Sequence, residues 1–338
     1  MLGIHDHLTP AFAVEISMMA TLLSSLTETR QVLKERGVEI DEKTIRTITI
    51  RYAKRAQMTK EENGIIINES VSGCRVVIST DGGRIRIRKK KRGPKTQKGR
   101  DRYSTKWREP KLLIIYTVNE KGEIDRSFQP FIEGTMKGPE AVFGLIKYYL
   151  SKLGITKAHK ILFVADGARW IWNRVPALME SLGLCTSQFY ELVDFYHVVE
   201  HLSKIADLKK KKWKPSERKS WVKKNRKLLL HGKVKDVIAA VLLACRGSKS
   251  KKLLREKSYF VRNQKRMRYS EISSQGLPIG SGAMESTIRR VVNLRLKGAS
   301  IYWLEEVAEA MLLLRSFWKS GRWNMLKSLS FSTSYCPI

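Results

Sequence analysis

The chain has 338 residues and a formal net charge of +33, because 65 lysine and arginine residues outnumber 32 aspartate and glutamate residues. This length allows one or two domains with a sizeable core, and the charge favours polyanions, nucleic acids above all, as partners. No run approaches the roughly 18 apolar residues of a membrane-spanning helix, and the first residues show no secretory signal. The four cysteines, Cys74, Cys185, Cys245 and Cys336, are scattered without a CxxC pair, which argues against a disulfide framework and a cysteine-rich zinc site. We therefore expect a cytoplasmic protein that needs no membrane.

The positive charge is concentrated in two segments. Residues 84–111 contain 14 Lys/Arg and 2 Asp/Glu, a net of +12, and residues 204–268 contain 24 and 4, a net of +20. The rest of the chain is nearly neutral. A general excess of surface lysine would be spread more evenly, so the distribution indicates two nucleic-acid-binding segments.

The first predicted elements are helices over residues 11–57. A broad apolar face covers "AFAVEISMMATLLSSL", and Asp41 is a suitable N-cap for "DEKTIRTITIRYAKRAQ". Two short helices joined through "GVEI" fit a helix-turn-helix, which would place one of them in a DNA groove. A helical packing subdomain that touches no DNA fits the same pattern.

A series of strands follows. "CRVVIST" (74–80) ends at Asp81, "RIRIRKK" (84–90) alternates isoleucine with arginine, and "KLLIIYTV" (111–118) precedes a turn at "EKGEI". The short or polar connections between these strands predict that the three form an antiparallel meander.

Helices and strands then alternate. An amphipathic helix (138–154) stopped by Gly154 precedes the apolar strand "KILFVAD", a helix over "NRVPALMESLG", and the short strand "YELVDFYH" that runs into a helix. Residues 198–270 are predicted to be helical, and further helices cover "AMESTIRRVVNLRLKG" and "WLEEVAEAMLLLRSFWKSG". The order β-β-β-α-β-α-β predicts an α/β sheet with mixed strand directions.

Two aspartates stand where catalytic groups of such sheets gather. Asp81 and Asp166 each end an apolar strand and precede a glycine. If the two strands are neighbours, the carboxylates converge into a site suited to divalent cations such as Mg²⁺. Two ions about 4 Å apart support phosphodiester chemistry. Glu285, early in a helix after a glycine-rich approach, is the best third carboxylate. Taken singly, an Asp-Gly at a strand end is an ordinary turn or cap.

Four ordered blocks resemble one family. "ISTDGGRIRIRKK", "VADGARWIWN", "DFYHVVEHL" and "PIGSGAMESTIRRVVNLRLKGA" together span roughly residues 75–320. The chain resembles DDE-type insertion-sequence transposases of the RNase H-like superfamily, in a bacterial branch akin to the Mutator-like elements. The resemblance implies an RNase H-like mixed sheet, with the first Asp on the first strand, the second after the fourth, and an all-helical insertion before the catalytic Glu helix.

The resemblance also implies roles, domains and cofactors. Asp81, Asp166 and Glu285 would be catalytic and would hold two Mg²⁺ or Mn²⁺ ions. The expected domains are a helical N-terminal region (1–70), the first part of the catalytic core (71–202), a basic all-helical insertion (203–272) and the C-terminal core helices (273–338). Many relatives carry an extra N-terminal recognition region, and we expect this chain to lack it.

The segment "DFYHVVEH" supplies further candidates. Related transposases carry a C/D-x-x-H pair, which Asp194 and His197 match, and His197 would then orient a phosphate or the strand being cut. Asp194 and His201 would support the site. His197 and His201 are also i, i+4 on one helical face, so a zinc site is a competing interpretation, and a structural Asp–His contact is a third.

The two basic segments are expected to contact DNA. The residues in question are Arg84, Arg86, Arg88, Lys89, Lys90, Lys91, Lys210, Lys211, Lys212, Trp213, Arg289 and Arg290. The cations would meet phosphates and set the position of the duplex without reading its bases. Trp213 and Trp221 could stack on an unpaired base or pack in the core.

These expectations describe a transposase that cuts double-stranded DNA at transposon ends and joins the 3′-hydroxyl to target DNA. The resemblance implies a homo-oligomer that brings two ends together in a bacterial cell, associated with the nucleoid when DNA is bound. One alternative is an RNase H-like nuclease without strand transfer. The other is a domesticated, catalytically idle DNA-binding protein.

Overall fold

The computed structural model describes residues 8–97 and 99–331, so that residues 1–7, Lys98 and residues 332–338, with Cys336, lie outside the description. The strands of the described residues are β1 (Arg75–Gly82), β2 (Ile85–Lys90), β3 (Tyr103–Arg108), β4 (Lys111–Val118), β5 (Phe131–Thr135), β6 (Lys160–Ala165) and β7 (Phe189–Val193).

Five of these strands form one mixed sheet in the order β5-β4-β1-β6-β7. The pairs β1–β4 and β4–β5 are antiparallel, whereas β1–β6 and β6–β7 are parallel. Every residue of β4 and β5 is buried, and β6 is buried after Lys160. Near-continuous apolar strands are typical of a sheet covered on both faces. The predicted α/β class with mixed strand directions is confirmed.

The predicted meander is wrong in its membership. β2 leaves the main sheet and forms a separate two-stranded ribbon with β3, with one isolated bridge from Ile87 to Trp303, while β5 takes the third antiparallel place. The reason lies in the alternation of β2. Ile85 and Ile87 are buried, but the intervening Arg86 and Arg88 have no place in a sheet packed on both faces. The turn predicted after β4 is confirmed, since the Gly122 amide donates to Asn119 O.

The helices are α1 (Pro10–Leu22), α2 (Leu26–Glu35), α3 (Glu42–Asn63), α4 (Pro139–Lys152), α5 (Arg169–Trp172), α6 (Val175–Ser181), α7 (Phe195–Leu208), α8 (Pro215–Leu230), α9 (Val234–Cys245), α10 (Lys251–Asn263), α11 (Tyr269–Ser274), α12 (Gly282–Ile288), α13 (Glu305–Lys319) and α14 (Trp323–Phe331). Most helices occupy the predicted regions, but α5 and α14 lie outside them. A π-helical turn, Arg289–Asn293, continues α12. α4 packs on β4 and β5, while α12 packs on β1 and β4 and α13 on β5.

The N-terminal helices have a small core of their own. Ile16, Leu33 and Ile45 are among its buried residues, while the second half of α3 joins the main core. Asp41 caps α3 as predicted, because its carboxylate accepts the Thr44 amide at 2.7 Å. The second helix of the proposed helix-turn-helix is longer than expected, with 22 residues.

A buried arginine ties these helices to the helix that carries Glu285. Arg315 of α13 donates to the carbonyl oxygens of Val291 and Thr21, each at 2.7 Å, and to that of Arg290. Two of these carbonyls lie in the π-helical turn, where the regular helical pattern is broken. Burial lowers the pKa of Arg315 to about 10. No helix of the described residues has the length and apolar character needed to cross a membrane.

Candidate active site

The sheet register aligns the two predicted catalytic aspartates. β1 and β6 are neighbouring parallel strands, with Ile78 level with Phe163. The paired register ends at these two residues, and Asp81 and Asp166 each lie three residues further along, at the carboxyl ends of the two strands. In the same way, Ala165 is level with Val193, which makes Asp194 the next residue in this row. The strand adjacency that the interpretation of Asp81 and Asp166 required is therefore present.

Asp81 lies in an unfavourable setting for a negative charge. Its pKa is raised to about 6, chiefly by burial, and the charges of Asp166 and Glu109 contribute to the rise. The Gly82 amide, which donates to Asp81 Oδ1 at 2.6 Å, and the nearby His197 act in the opposite direction. Asp81 therefore lies within electrostatic reach of Asp166 and His197, and a bound cation would relieve the repulsion between the carboxylates.

Of the two tryptophans after Asp166, Trp172 supports the loop that carries the aspartate. Trp172 is buried, packs edge-on against Phe163, and donates from Nε1 to the Asp166 carbonyl oxygen at 2.6 Å. Trp170 points elsewhere, with the Lys111 ammonium 4.0 Å from its ring centroid. The Asp166 carboxylate itself accepts the Ala168 amide at 2.9 Å and is only partly buried. This leaves it access to solvent.

Gly167 is where the basic helical segment meets the sheet edge. A Cβ at this position would collide with the Tyr259 ring and lie 2.8 Å from Asn263 Nδ2, so only glycine permits this approach of α10. Arg262 Nη2 donates to the Gly167 carbonyl at 3.1 Å. The segment between α7 and α12 therefore packs directly against the loop beside Asp166.

Glu285 lies in the first turn of α12, and its side chain is 60% exposed. His197, in the first turn of α7, bridges towards it. The His197 Nε2 atom is 3.9 Å from Glu285 Oε1, and its Nδ1 atom is 3.6 Å from Glu200 Oε2. His197 therefore connects Glu285 electrostatically with Asp81.

Asp194 has a structural position. It is fully buried, and its Oδ1 accepts the His197 amide at 2.9 Å as the N-cap of α7. Its Oδ2 accepts both the amide and the hydroxyl of Ser281, the latter at 2.6 Å. Ser281 immediately precedes α12, so this one carboxylate fixes the first turns that carry His197 and Glu285. The Asp–His contact is made through the backbone of His197, not its imidazole.

His201 faces the helical segment. Its Nδ1 pairs with the Glu256 carboxylate, and its ring stacks on Tyr259 with 3.6 Å between centroids. Burial lowers the pKa of His201, while Glu256 opposes that shift. These contacts join α7 to α10. The side chains that His201 contacts, Glu256 and Tyr259, both belong to α10.

The described residues contain no group of three or more His, Cys, Asp or Glu side chains gathered closely enough to hold a metal ion. The structure places Asp81 and Asp166 at the same edge of the sheet, within electrostatic reach of each other, and sets Glu285 beside His197. The donor chemistry nevertheless suits a hard divalent cation, because the partly open side chains offer carboxylate oxygens and the half-buried Asp81 is repelled by the charges of Asp166 and Glu109.

The predicted DNA-binding residues fall into three places. The ribbon β2–β3 carries Arg84, Arg86, Arg88, Lys89 and Lys90, followed by the exposed Lys91. Lys210, Lys211 and Lys212 are exposed after α7, and Arg289 is exposed and Arg290 half-buried after Glu285. Trp213 is half-buried against the core, and its ring centroid lies 5.4 Å from that of Trp221. Of the two expected roles for these tryptophans, this arrangement corresponds to packing in the core.

Sequence reasoning missed several contributors to this site. Glu109 approaches Asp81 and contacts Gly82, where a Cβ would collide with it, and it pairs with Lys111 at 2.7 Å. Tyr259 arrives from a distant helix. Only Ser281 left a signal, as a serine directly before a helix. Comparisons of the chain with protein-family models, curated proteins and solved structures give no match.

Proposed function

We propose that this chain is a DDE-type DNA transposase with an RNase H-like core. It would cut double-stranded DNA at transposon ends and transfer the resulting 3′-hydroxyl into target DNA. The observation that carries the proposal is that Asp81 and Asp166 lie at the carboxyl ends of neighbouring parallel strands, with the Glu285 helix packed on β1 and β4.

The sheet supports this proposal beyond the carboxylates. The family that the sequence resembles has three antiparallel strands, a helix, and two further strands separated by a helix. β1, β4 and β5 are antiparallel, α4 follows, and β6 and β7 continue the sheet on the other side of β1. The helices α8 to α11 lie between β7 and the Glu285 helix, as expected for an insertion.

Asp81, Asp166 and Glu285 would hold two Mg²⁺ or Mn²⁺ ions. When bound, such ions lower the pKa of water and stabilise the attacking and leaving oxygens of phosphodiester cleavage and joining. Asp81 supplies a desolvated carboxylate, and Asp166 one fixed by the Ala168 amide. His197, held between Glu200 and Glu285, is positioned to donate to a phosphate oxygen.

The surrounding charge suits the proposed substrate. The basic ribbon leaves β1 three residues after Asp81, and the basic helical segment packs beside Asp166. Duplex phosphates would contact both, and the protein would act as a homo-oligomer that holds two ends.

The test is a joining assay with a labelled 3′-hydroxyl end and a plasmid target, with and without Mg²⁺. We expect covalent attachment of the label only with Mg²⁺, and none with Asp166→Asn. Cleavage without joining would identify the nuclease alternative, and binding without either reaction would identify the idle DNA-binding protein. Inverted repeats and short target duplications around the gene would support the transposase directly.

A further inference from the structure

The ribbon formed by β2 and β3 has two different faces. Residues opposite each other in an antiparallel pair point to the same side, and the register sets Arg86 opposite Trp107 and Lys90 opposite Tyr103. On the other face, Ile85 and Ile87 are buried in the main core. One face therefore anchors the ribbon, and the opposite face presents arginines and aromatic rings.

The side chains of this outer face alternate in space. The guanidinium groups of Arg84 and Arg86 lie 4.8 and 5.6 Å from the Trp107 ring centroid. The Arg86 guanidinium also lies 4.6 Å from the ring centroid of Tyr302. The next residue, Trp303, forms an isolated β-bridge with Ile87 at the edge of β2. Arg88 lies 5.6 Å from the Tyr103 ring. We call these six side chains the arginine–aromatic face; they are Arg84, Arg86, Arg88, Tyr103, Trp107 and Tyr302.

The two ribbon rings and the guanidinium groups of Arg84 and Arg88 are available to a ligand, whereas Arg86 already donates to the Gly298 carbonyl oxygen and to the Tyr302 hydroxyl. Tyr103 is 48% exposed and Trp107 is 49% exposed, so neither ring is consumed by the core. Arg84, Arg86 and Arg88 have no carboxylate within ion-pair distance among the described residues, whereas Lys90 and Arg108 of the same ribbon pair with Asp101 and Glu305. Arginines that have no carboxylate partner and lie against aromatic rings are suited to bind phosphate and to stack with bases.

The face begins at the candidate active site. Arg84 follows Asp81 by three residues, which limits their Cα separation to about 11 Å. A strand bound on this face therefore runs next to the carboxylates.

The chemistry favours an unpaired strand over a duplex. Duplex phosphates would be bound by arginines alone, since paired bases keep their flat faces inside the helix. Half-exposed rings between arginines offer what an unpaired strand uses, which is a base-stacking surface together with cations for its backbone.

We propose that the arginine–aromatic face binds single-stranded DNA by stacking unpaired bases on Trp107 and Tyr103. The proposal deepens the proposed transposase function, because it assigns the face to the strand that becomes unpaired beside the cut.

The test measures binding without catalysis. Fluorescence anisotropy in EDTA would compare a labelled 20-nucleotide single strand with a blunt duplex of the same length. Trp107→Ala and Tyr103→Ala are each expected to weaken single-strand binding about tenfold and duplex binding less than twofold. Trp107→Phe, which keeps a ring, is expected to restore most of the affinity.

The arginines give a second readout. The double variant Arg84→Ala/Arg88→Ala should weaken both ligands, and the slope of log affinity against log salt should fall by about 1.4 for the single strand. Lys121→Ala/Arg126→Ala removes equal charge from the turn at the opposite end of the sheet and should change neither ligand by more than about twofold. Thermal unfolding of each variant verifies that it is folded.

Equal losses of single-strand and duplex binding in Trp107→Ala, or no loss in a folded variant, would overturn the assignment of this face. Ring-dependent single-strand binding by a protein that neither cuts nor joins DNA with Mg²⁺ would support the face and overturn the transposase proposal. The two failures are therefore distinguishable.

Discussion

Asp166 and Asp194 follow neighbouring parallel strands at level positions, but the fold satisfies their carboxylates differently. The Asp166 side chain accepts one amide, from Ala168, and remains partly open. Asp194 is fully buried and accepts the His197 amide together with the amide and hydroxyl of Ser281. A carboxylate at a strand end can thus remain open to a ligand, or it can be buried and hold neighbouring helix ends together through hydrogen bonds. Hydrogen-bond saturation, not position, separates the two.

The largest expected effect is on the joining rate, and it tests which exposed carboxylate, Glu285 or Glu200, acts together with Asp166 in the proposed reaction. Glu285 and Glu200 both flank His197 and are 60% and 61% exposed, so each is the matched control for the other. Glu285→Gln should lower the joining rate at least about 1,000-fold, since loss of a ligand removes several kcal/mol of stabilisation from the reaction. Glu200→Gln should change it less than about fivefold. Single-turnover joining rates measure both, and equal effects would remove Glu285 from the site.

The next effect is on stability, and it tests whether Asp194 holds the first turns of α7 and α12 in place. Asp194→Asn must turn its NH₂ group towards an amide or hydroxyl donor, which leaves a buried donor unpaired. The expected loss is roughly 2–4 kcal/mol in the free energy of unfolding. Asp166→Asn keeps an acceptor for the Ala168 amide and should change stability by less than about 0.5 kcal/mol. Urea unfolding distinguishes the two, and similar stabilities for both variants would contradict the comparison.

The sequence could predict those features whose cause is local in the chain, and it missed those that depend on residues distant in sequence. β1, β4 and β6 follow from apolar runs, and the caps at Asp41 and Gly154 follow from local backbone chemistry. β5 was missed because "FIEGT" has a glutamate and a glycine at its centre. Its buried Glu133 is satisfied by Lys60 and Tyr149, neither of which is near it in sequence.

The residues of the candidate site likewise divide into those that local sequence could predict and those that only tertiary packing brings to the site. Asp81 and Asp166 could be predicted because each ends its own apolar strand, and their adjacency needed only the strand order. The roles of Tyr259 and Glu109 could not, because helix and ribbon packing bring them to the edge. The charge pattern was also incomplete as a guide to these surfaces. It marked both basic segments, but it did not indicate that Tyr103 and Trp107 of the first segment are exposed, or that Trp213 and Trp221 of the second are half-buried.

A smaller effect tests how the helical segment reaches the open aspartate. Gly167→Ala should force α10 away from the sheet edge, because the new Cβ meets the Tyr259 ring. Overpacking of this kind costs roughly 1–3 kcal/mol, and the joining rate should fall with it. Gly144→Ala is the matched control, since a Cβ within α4 would meet nothing within 4 Å and should stabilise the helix by about 0.5–1 kcal/mol. If Gly167→Ala is as stable as the unmodified protein, α10 does not depend on the glycine.

The smallest effect has the opposite sign and concerns Asp81. Its pKa is raised from an ordinary 3.8 to about 6, so the folded protein holds this proton more tightly than the unfolded chain. Stability through Asp81 is therefore greatest below about pH 4 and is lost as the pH rises through about 6. Asp81→Asn removes the buried charge and keeps an acceptor for the Gly82 amide, so at pH 7 it should raise the free energy of unfolding by about 1–2 kcal/mol, while abolishing joining.

The advantage of Asp81→Asn should shrink as the pH falls from 7 towards 4, because the native aspartate then becomes neutral as well. Asp125→Asn is the control of opposite sign, since hydrogen bonds from Ser127 lower the pKa of Asp125. Unfolding curves from pH 4 to 8 measure both differences. A stabilised but inactive Asp81→Asn would mean that the fold tolerates this carboxylate at a cost, which fits a reactive group. A destabilised variant would instead group Asp81 with Asp194, as a side chain that the fold needs.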